Sequence, residues 1–245
     1  MKRDDLPKIL YQKINIVEPY PEKVKPVDKM MDITAFFPGG KGLWSETQSD
    51  VFPNILILGQ DFSTVDDYRK MLRNESTDLE CPTWRYLIKL LNEAEIELTD
   101  CFYSNVFMGL RETASMVGKF PGFKDKSFVK RNVEFLSYQI ETIRPKVIIT
   151  LGKFAAELLT KLSDTDLKIW KNYNALRVAN IGLITNVHFN NHVCTCVALE
   201  HTSMRNSNVK RREYSNVNGQ HQGNAAEVEM LKDAVHKIAE GNCNG

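Results

Sequence analysis

The sequence has almost no excess of charge of either sign. Its 32 lysine and arginine residues nearly balance 31 aspartate and glutamate residues, which leaves a net charge of +1. A protein with so small a net charge has no strong long-range attraction for a polyanion, so any nucleic-acid surface must be a local patch. The hydrophobic content of 42% is ordinary for a globular protein and excludes disorder along the whole length.

Long apolar runs are also missing. No stretch approaches the ~20 consecutive apolar residues that a membrane-spanning helix needs. Basic residues stand near the first methionine, but no apolar run follows them, so the start resembles neither a secretory signal nor a membrane anchor. We therefore expect an intracellular, cytoplasmic protein that has no membrane partner.

The five cysteines are scattered and form no C-x-x-C pair. This spacing excludes the usual zinc and iron–sulfur patterns, so we expect reduced thiols, no metal and no cofactor. Cys194 and Cys196 stand two residues apart in a predicted strand, which places two small, buried thiols on one face. The glycines at 39, 40 and 42 predict a turn, because a phosphate-binding loop needs a longer spacing before its Gly-Lys pair.

Short apolar runs alternate with helical periodicity from residue 53 onward. The predicted strands cover residues 54–58, 101–107, 147–151 and 193–199, and the predicted helices cover residues 65–72, 83–91, 126–143, 154–162 and 225–239. Continuous apolar runs are typical of parallel strands that are buried on both faces, and the alternation predicts right-handed crossovers. We therefore predict an α/β fold, a three-layer sandwich with a central, mainly parallel four-stranded sheet.

Two regions fall outside this alternation. Residues 1–50 have no steady period, and we interpret them as an N-terminal extension that packs on a single domain formed by residues 51–245. Residues 176–187 are either a connecting strand or part of a hairpin.

Polar side chains follow three of the predicted strands. Asp61 comes after the first strand, Asn105 lies near the end of the second, and His201 follows the last. Ligands of parallel sheets bind beyond the carboxyl ends of the strands, so these side chains are expected to meet at one edge. Each has a structural alternative: Asp61 can cap a helix, Asn105 can be a buried amide bonded to backbone, and His201 can close a turn. Together they favour a functional site.

Four segments resemble motifs of the uracil-DNA glycosylase-like superfamily. Gly59-Gln60-Asp61 resembles the first motif of these enzymes, Ser104-Asn105-Val106 resembles the strand that reads uracil, and His201-Thr202-Ser203 resembles the second motif. Residues 144–152 are similar to a stretch of bacterial members. The order and spacing of the segments fit, and the resemblance covers roughly residues 50–240.

The sequence departs from the family pattern at three positions. Phe62 stands where the first motif has proline, and Thr202 replaces the proline of the second motif. Ser63 stands where uracil-selective enzymes have a tyrosine that excludes the thymine methyl group, which implies tolerance of 5-substituted uracils. The cysteines that bind an iron–sulfur cluster in some relatives are absent.

The resemblance implies a role for each matching residue. Asp61 is expected to orient a water and stabilise the sugar, and His201 to donate a hydrogen bond to the departing base. The implied base-recognition residues are Gln60, Phe62, Ser63 and Asn105, where Phe62 either stacks on the base or packs in the core. The expected DNA contacts are Ser203, Met204 and Arg205 in the loop after His201, together with the basic triplet Lys210, Arg211 and Arg212.

Three functional hypotheses fit these observations. The first is a monomeric DNA glycosylase that flips uracil, or a related damaged or mismatched base, out of DNA and releases it in base excision repair. The second is a member of the same superfamily that binds DNA or a free nucleobase without cleaving it. The third is an unrelated doubly wound enzyme that handles nucleotides.

Overall fold

The structure, a computed structural model, describes residues 1–27, 35–44, 50–73, 81–113, 115, 118–172, 180–202 and 208–242. Its strands are β1 (Val24–Lys25), β2 (Ile55–Gly59), β3 (Cys101–Asn105), β4 (Leu110–Arg111), β5 (Val147–Leu151), β6 (Leu183–Phe189), β7 (His192–Leu199), β8 (Glu213–Asn216) and β9 (Gly219–Gln222). Its helices are α1 (Leu6–Tyr11), α2 (Val65–Leu72), α3 (Pro82–Glu93), α4 (Lys126–Ile143), α5 (Lys153–Leu159) and α6 (Asn224–Asn242). Among these residues, no helix combines the length and the apolar character needed to cross a membrane.

A five-stranded sheet forms the centre of the molecule, in the order β3-β2-β5-β7-β6. The first four strands are parallel, and β6 is antiparallel to β7. Every residue of β2, β3 and β5 is buried, as expected for strands that are covered on both faces. The predicted α/β fold is confirmed, and its sheet has one strand more than the four expected.

The additional strand comes from the region whose sequence allowed two interpretations. β6 forms a hairpin with β7 through a turn at residues 190–191. Several residues of β6 are only partly buried, because it is the outermost strand of the sheet, so its apolar pattern is weaker than that of β2 or β5. On the neighbouring β7, Cys194 and Cys196 are both buried, as the strand pattern predicts.

Helices cover both faces of the sheet. The ring of Tyr103 on β3 packs against Trp84 of α3, with centroids 5.0 Å apart. The next residue, Ser104, points to the opposite face, where its hydroxyl donates to Gln139 Oε1 of α4 at 2.6 Å. Since successive side chains of a strand point to opposite faces, α3 and α4 lie on opposite sides, which produces the three layers.

The described part of the N-terminal region covers the outer edge of β3. Phe37 N donates to Tyr103 O at 2.9 Å, and Tyr103 N donates to Gly42 O at 2.8 Å. These bonds occupy backbone groups that an uncovered edge strand would leave unpaired. Leu6 and Leu10 belong to the same hydrophobic core as the sheet. The division of the chain at residue 50 stays a prediction.

The polar segment after residue 206 contains a hairpin that the sequence did not predict. β8 and β9 pair along their whole length, and Tyr214 donates to Asp233 Oδ2 of α6 at 2.6 Å. Few apolar residues occur in this hairpin, so hydrophobic periodicity could not reveal it.

The predicted DNA contact of Arg212 also differs from the structure. Its side chain is buried, with Nε 3.7 Å from Glu227 Oε1, and it also donates to the carbonyl of Ala198. Glu227 is fully buried as well and accepts from Glu200 N at 2.7 Å. The prediction that Arg212 contacts a DNA phosphate is wrong, because the guanidinium points into the core and neutralises a buried carboxylate.

We expect Leu10→Ala to lower the free energy of unfolding by about 2–5 kcal/mol, because it removes a fully buried side chain and leaves a cavity. Urea unfolding followed by circular dichroism measures the change. Lys8→Ala, at an exposed position of the same helix, is the matched control and should stay within about 0.5 kcal/mol of wild type. Equal, small effects of both substitutions would show that the N-terminal region does not unfold together with the sheet.

Candidate functional site

The segments that follow β2 and β3 remain paired beyond the ends of the strands. Gly59 and Asn105 form the last register pair of the two strands. Backbone hydrogen bonds then continue, with Val106 N donating to Gly59 O at 2.9 Å and Arg111 N donating to Ser63 O at 2.8 Å. This pairing brings Asp61 and Arg111 into contact at the carboxyl edge of the sheet.

Asp61 and Arg111 form a buried, bidentate ion pair at this position. Arg111 Nη2 lies 2.7 Å from Asp61 Oδ2, and Arg111 Nε lies 2.9 Å from Oδ1. The two side chains are only 6% and 4% exposed, so water screens the pair weakly. Arg111 also donates to Gly118 O at 2.8 Å and lies over the ring of Phe120. The guanidinium therefore joins the aspartate loop to the segment that precedes α4.

Sequence reasoning missed Arg111. The residue belongs to a two-residue strand that pairs with β1, which is too short for any periodicity. One signal was available: Arg111 directly follows the apolar run at 106–110, and a charged residue at the end of a buried run usually has a partner. The identity of the carboxylate that pairs with Arg111 depends on tertiary structure.

Helix capping does not explain Asp61. The residue that caps α2 is Thr64, whose Oγ1 accepts from Asp67 N at 3.1 Å. Asp61 Oδ1 instead accepts from Ser63 N at 3.1 Å, a local turn that fixes the carboxylate relative to its own backbone. The capping alternative for Asp61 is therefore wrong.

Asn105 ends β3 with its side chain nearly buried, at 4% exposure. Within the part of the chain that the structure describes, its amide makes no hydrogen bond, and its polar atoms keep contact with solvent. A β-carbon on Gly59 would lie 2.2 Å from Asn105 Oδ1 and 3.6 Å from the Phe36 ring, so glycine is needed there to leave room for the amide. The hydrogen-bonding capacity of the amide is therefore unused within the described residues, and an unbonded amide in such a place costs ~1–3 kcal/mol.

His201 lies beyond β7, against the end of β5. A β-carbon on Gly152 would lie 2.9 Å from His201 Cβ, and Gly152 has a φ of 86°, so both space and backbone conformation favour glycine. Burial lowers the pKa of His201, the Asp61 carboxylate opposes this shift, and the Arg111 guanidinium adds to it. The imidazole is therefore neutral at pH 7, with one nitrogen able to donate and the other able to accept.

The remaining base-recognition candidates lie on the loop after β2. Gln60 Nε2 donates to Gly118 O at 3.3 Å, the carbonyl that Arg111 also contacts. Phe62 is 7% exposed and belongs to the hydrophobic core, which favours its packing role over stacking on a base. The Ser63 hydroxyl bonds to Asp67 Oδ2 at 3.2 Å, and the residue has a φ of 87°.

The predicted DNA contacts are divided between two regions. Ser203, Met204 and Arg205 lie outside the described residues. Lys210 and Arg211 are exposed on a short 3-10 helix, so their phosphate contacts stay predictions. The described residues contain no group of three or more histidine, cysteine, aspartate or glutamate side chains arranged to hold a metal ion.

Asp61, Asn105 and His201 thus lie beyond or at the carboxyl ends of parallel strands of one sheet, as the sequence motifs indicated. A family model of the uracil DNA glycosylase superfamily matches residues 49–219, which include all three. The chain belongs to the uracil DNA glycosylase superfamily. Membership of this superfamily indicates DNA glycosylase activity and a DNA substrate in general terms, without identifying the base. No curated protein matches the chain.

We expect Arg111→Ala to destabilise this superfamily member by about 3–5 kcal/mol, because it leaves the buried Asp61 carboxylate without its cationic partner. Lys25→Ala is the matched control, since its exposed ion pair with Glu112 lies beside β4 and should contribute less than about 1 kcal/mol. Urea unfolding compares the two. Adding Asp61→Asn to Arg111→Ala should restore part of the stability, and no restoration would show that Arg111 stabilises the fold by packing alone.

Proposed function

We propose that the protein is a DNA glycosylase that hydrolyses the N-glycosidic bond of uracil, or of a related damaged or mismatched base, in DNA. The observation that carries this proposal is the Asn105 amide, which makes no hydrogen bond within the described residues and lies at the sheet edge that also holds Asp61 and His201. A group that reads the base, an anion near the sugar and a neutral donor for the departing base are what the reaction requires.

The reaction develops charge of both signs. The nucleotide first leaves the base stack, at a cost of a few kcal/mol. As the glycosidic bond breaks, positive charge grows on the sugar and negative charge on the base. The Asp61 carboxylate, held by Arg111 and by Ser63 N, is suited to stabilise the sugar and to orient the attacking water.

His201 is suited to stabilise the departing base. A neutral imidazole donates one N–H, and the partly buried position of His201 limits competition from water. A donor fixed in advance at the site of developing negative charge is worth ~3 kcal/mol, about a hundredfold in rate. Gly152 supports this role because it leaves room for the His201 side chain.

Asn105 is suited to select uracil over cytosine. Its amide oxygen accepts from N3–H of uracil, while its NH₂ group donates to O4. Cytosine has an amino donor at position four and no proton on N3, so both contacts are lost. Since the amide stands at the end of a buried strand, its orientation is restricted before the base arrives.

The Asp61–Arg111 pair favours a second candidate function, the binding of DNA or a nucleobase without cleavage. The guanidinium offsets the field that the carboxylate exerts on a sugar cation. Asp61 Oδ1 already accepts two hydrogen bonds, from Ser63 N and Arg111 Nε. Oδ2 accepts one from Arg111 and is therefore the oxygen that a catalytic water has to use.

Base release from a labelled oligonucleotide with one uracil, single-stranded or opposite guanine, separates the two functions. We expect Asp61→Asn and His201→Ala to lower the single-turnover rate by about a hundredfold or more. The matched controls Asp66→Asn and His188→Ala, at exposed positions, should keep the wild-type rate. Wild type that binds abasic DNA yet releases neither uracil nor a related base would establish the binding function instead.

The low pKa of His201 determines the expected pH dependence. The neutral imidazole is the donor, so the rate of base release should rise as pH increases through that pKa and stay flat above the ordinary value of about 6.5. Single-turnover rates between about pH 5 and 8 measure the profile. Because glutamine does not titrate, His201→Gln should not show the rise in rate that deprotonation of His201 causes. A wild-type rate that falls from pH 6 to 8, but not in His201→Gln, would mean that the imidazolium is the active form.

A further inference from the structure

A groove with a strong local positive charge lies between the N-terminal half of α4 and the region around α5. We call it the lysine groove, and its charged lining includes Lys119, Lys126, Lys130, Lys161 and Lys171. Its volume is about 920 Å³, near the top of the ~300–1,000 Å³ that pockets for drug-sized ligands span, so it has room for more than one ion.

The positive charge of the lysine groove is only partly neutralised. Two acidic residues face it: Glu157 pairs with Lys119 at 3.5 Å, and Asp164 pairs with Lys171. The other three lysines are exposed, and within the described residues they form no ion pair. The groove therefore has an excess of about three positive charges in a chain whose net charge is +1. Such a local patch is what a protein of balanced charge needs to bind a polyanion.

An aromatic ring stands among these lysines. Phe123 is partly exposed in the groove, and the Lys119 ammonium lies 4.3 Å from the centre of its ring. Phe123 also contacts Phe107 and Phe154, with centroids 4.7 and 5.8 Å away, which fixes its position. Basic grooves with aromatic platforms are typical of proteins that bind single-stranded nucleic acid, because lysines contact the phosphates and the rings stack on bases.

One short segment connects the lysine groove to the candidate site. Gly118 accepts from Arg111 and Gln60 on the site side, and the next residue, Lys119, lines the groove. Phe107, which contacts Phe123, follows Asn105 by two residues. A strand with one base in the site therefore has a short path into the groove.

We propose that the lysine groove binds the backbone of single-stranded DNA next to the nucleotide whose base enters the site. Lys126, Lys130 and Lys161 contact phosphates, and Phe123 stacks on an unpaired base. The choice of DNA as the ligand rests on the proposed function. The identification of the groove as a binding surface for a polyanion rests on its charge and on Phe123.

The test measures binding of a labelled single-stranded oligonucleotide with a central abasic site over a range of salt concentrations. We expect the triple variant Lys126→Ala, Lys130→Ala and Lys161→Ala to lower the slope of log K against log salt by about 2, at ~0.7 per phosphate contact. The control variant Lys8→Ala, Lys13→Ala and Lys89→Ala removes three exposed lysines elsewhere and should keep the wild-type slope. Phe123→Leu should weaken binding by about tenfold with an unchanged slope.

Base release by wild type, measured in parallel, separates this proposal from the proposed function. If wild type releases the base but the two triple variants have equal slopes, the proposal for the groove is wrong and the proposed glycosylase activity is retained. If the groove variant has a lower slope but no oligonucleotide releases a base, the groove binds DNA as proposed and the proposed glycosylase activity is wrong. Binding confined to duplex DNA would overturn the single-strand assignment, and no binding of DNA would overturn the groove entirely.

Discussion

Asp61 and Arg111 are charges in the protein interior, and each depends on the other to remain there. A carboxylate removed from water costs several kcal/mol unless a cation and hydrogen bonds compensate for it, and Arg111 supplies both at 2.7 and 2.9 Å. The pair closes the loops that continue β2 and β3, so it determines where the aspartate stands relative to Asn105. Through Gly118, the same guanidinium fixes the start of the segment that borders the lysine groove.

The pair also constrains the chemistry of the site. A fixed carboxylate needs little reorganisation when a sugar cation forms, which favours catalysis. The adjacent guanidinium reduces the field of that carboxylate, which opposes catalysis. His201 experiences the same two charges, in opposite directions, and burial decides that it is neutral. In the proposed function, the balance between these charges decides between cleavage of the glycosidic bond and binding alone.

The N-terminal region and two glycines at strand ends shape the surroundings of the site. The N-terminal region covers the edge of β3 and places Phe36 beside Gly59, next to the Asn105 amide. Glycines at the ends of β2 and β5 leave the space that Asn105 and His201 occupy. Position 62 departs from the family pattern, and there Phe62 packs in the core. In the proposed function, recognition of the base therefore rests on Asn105 rather than on an aromatic ring from this loop.

The sequence alone determined the parallel sheet and the meeting of Asp61, Asn105 and His201 at its edge. Apolar runs such as β2 and β5 report local burial, and parallel topology places their carboxyl ends together whatever the loops do. Only the tertiary structure decided the partners of the charged groups. Arg111 pairs with a residue fifty positions away, Arg212 is neutralised inside the core, and the lysine groove forms where α4 and α5 approach each other. Periodicity along the chain describes which side of an element is apolar, whereas the partner of a charge depends on which distant segments pack against it.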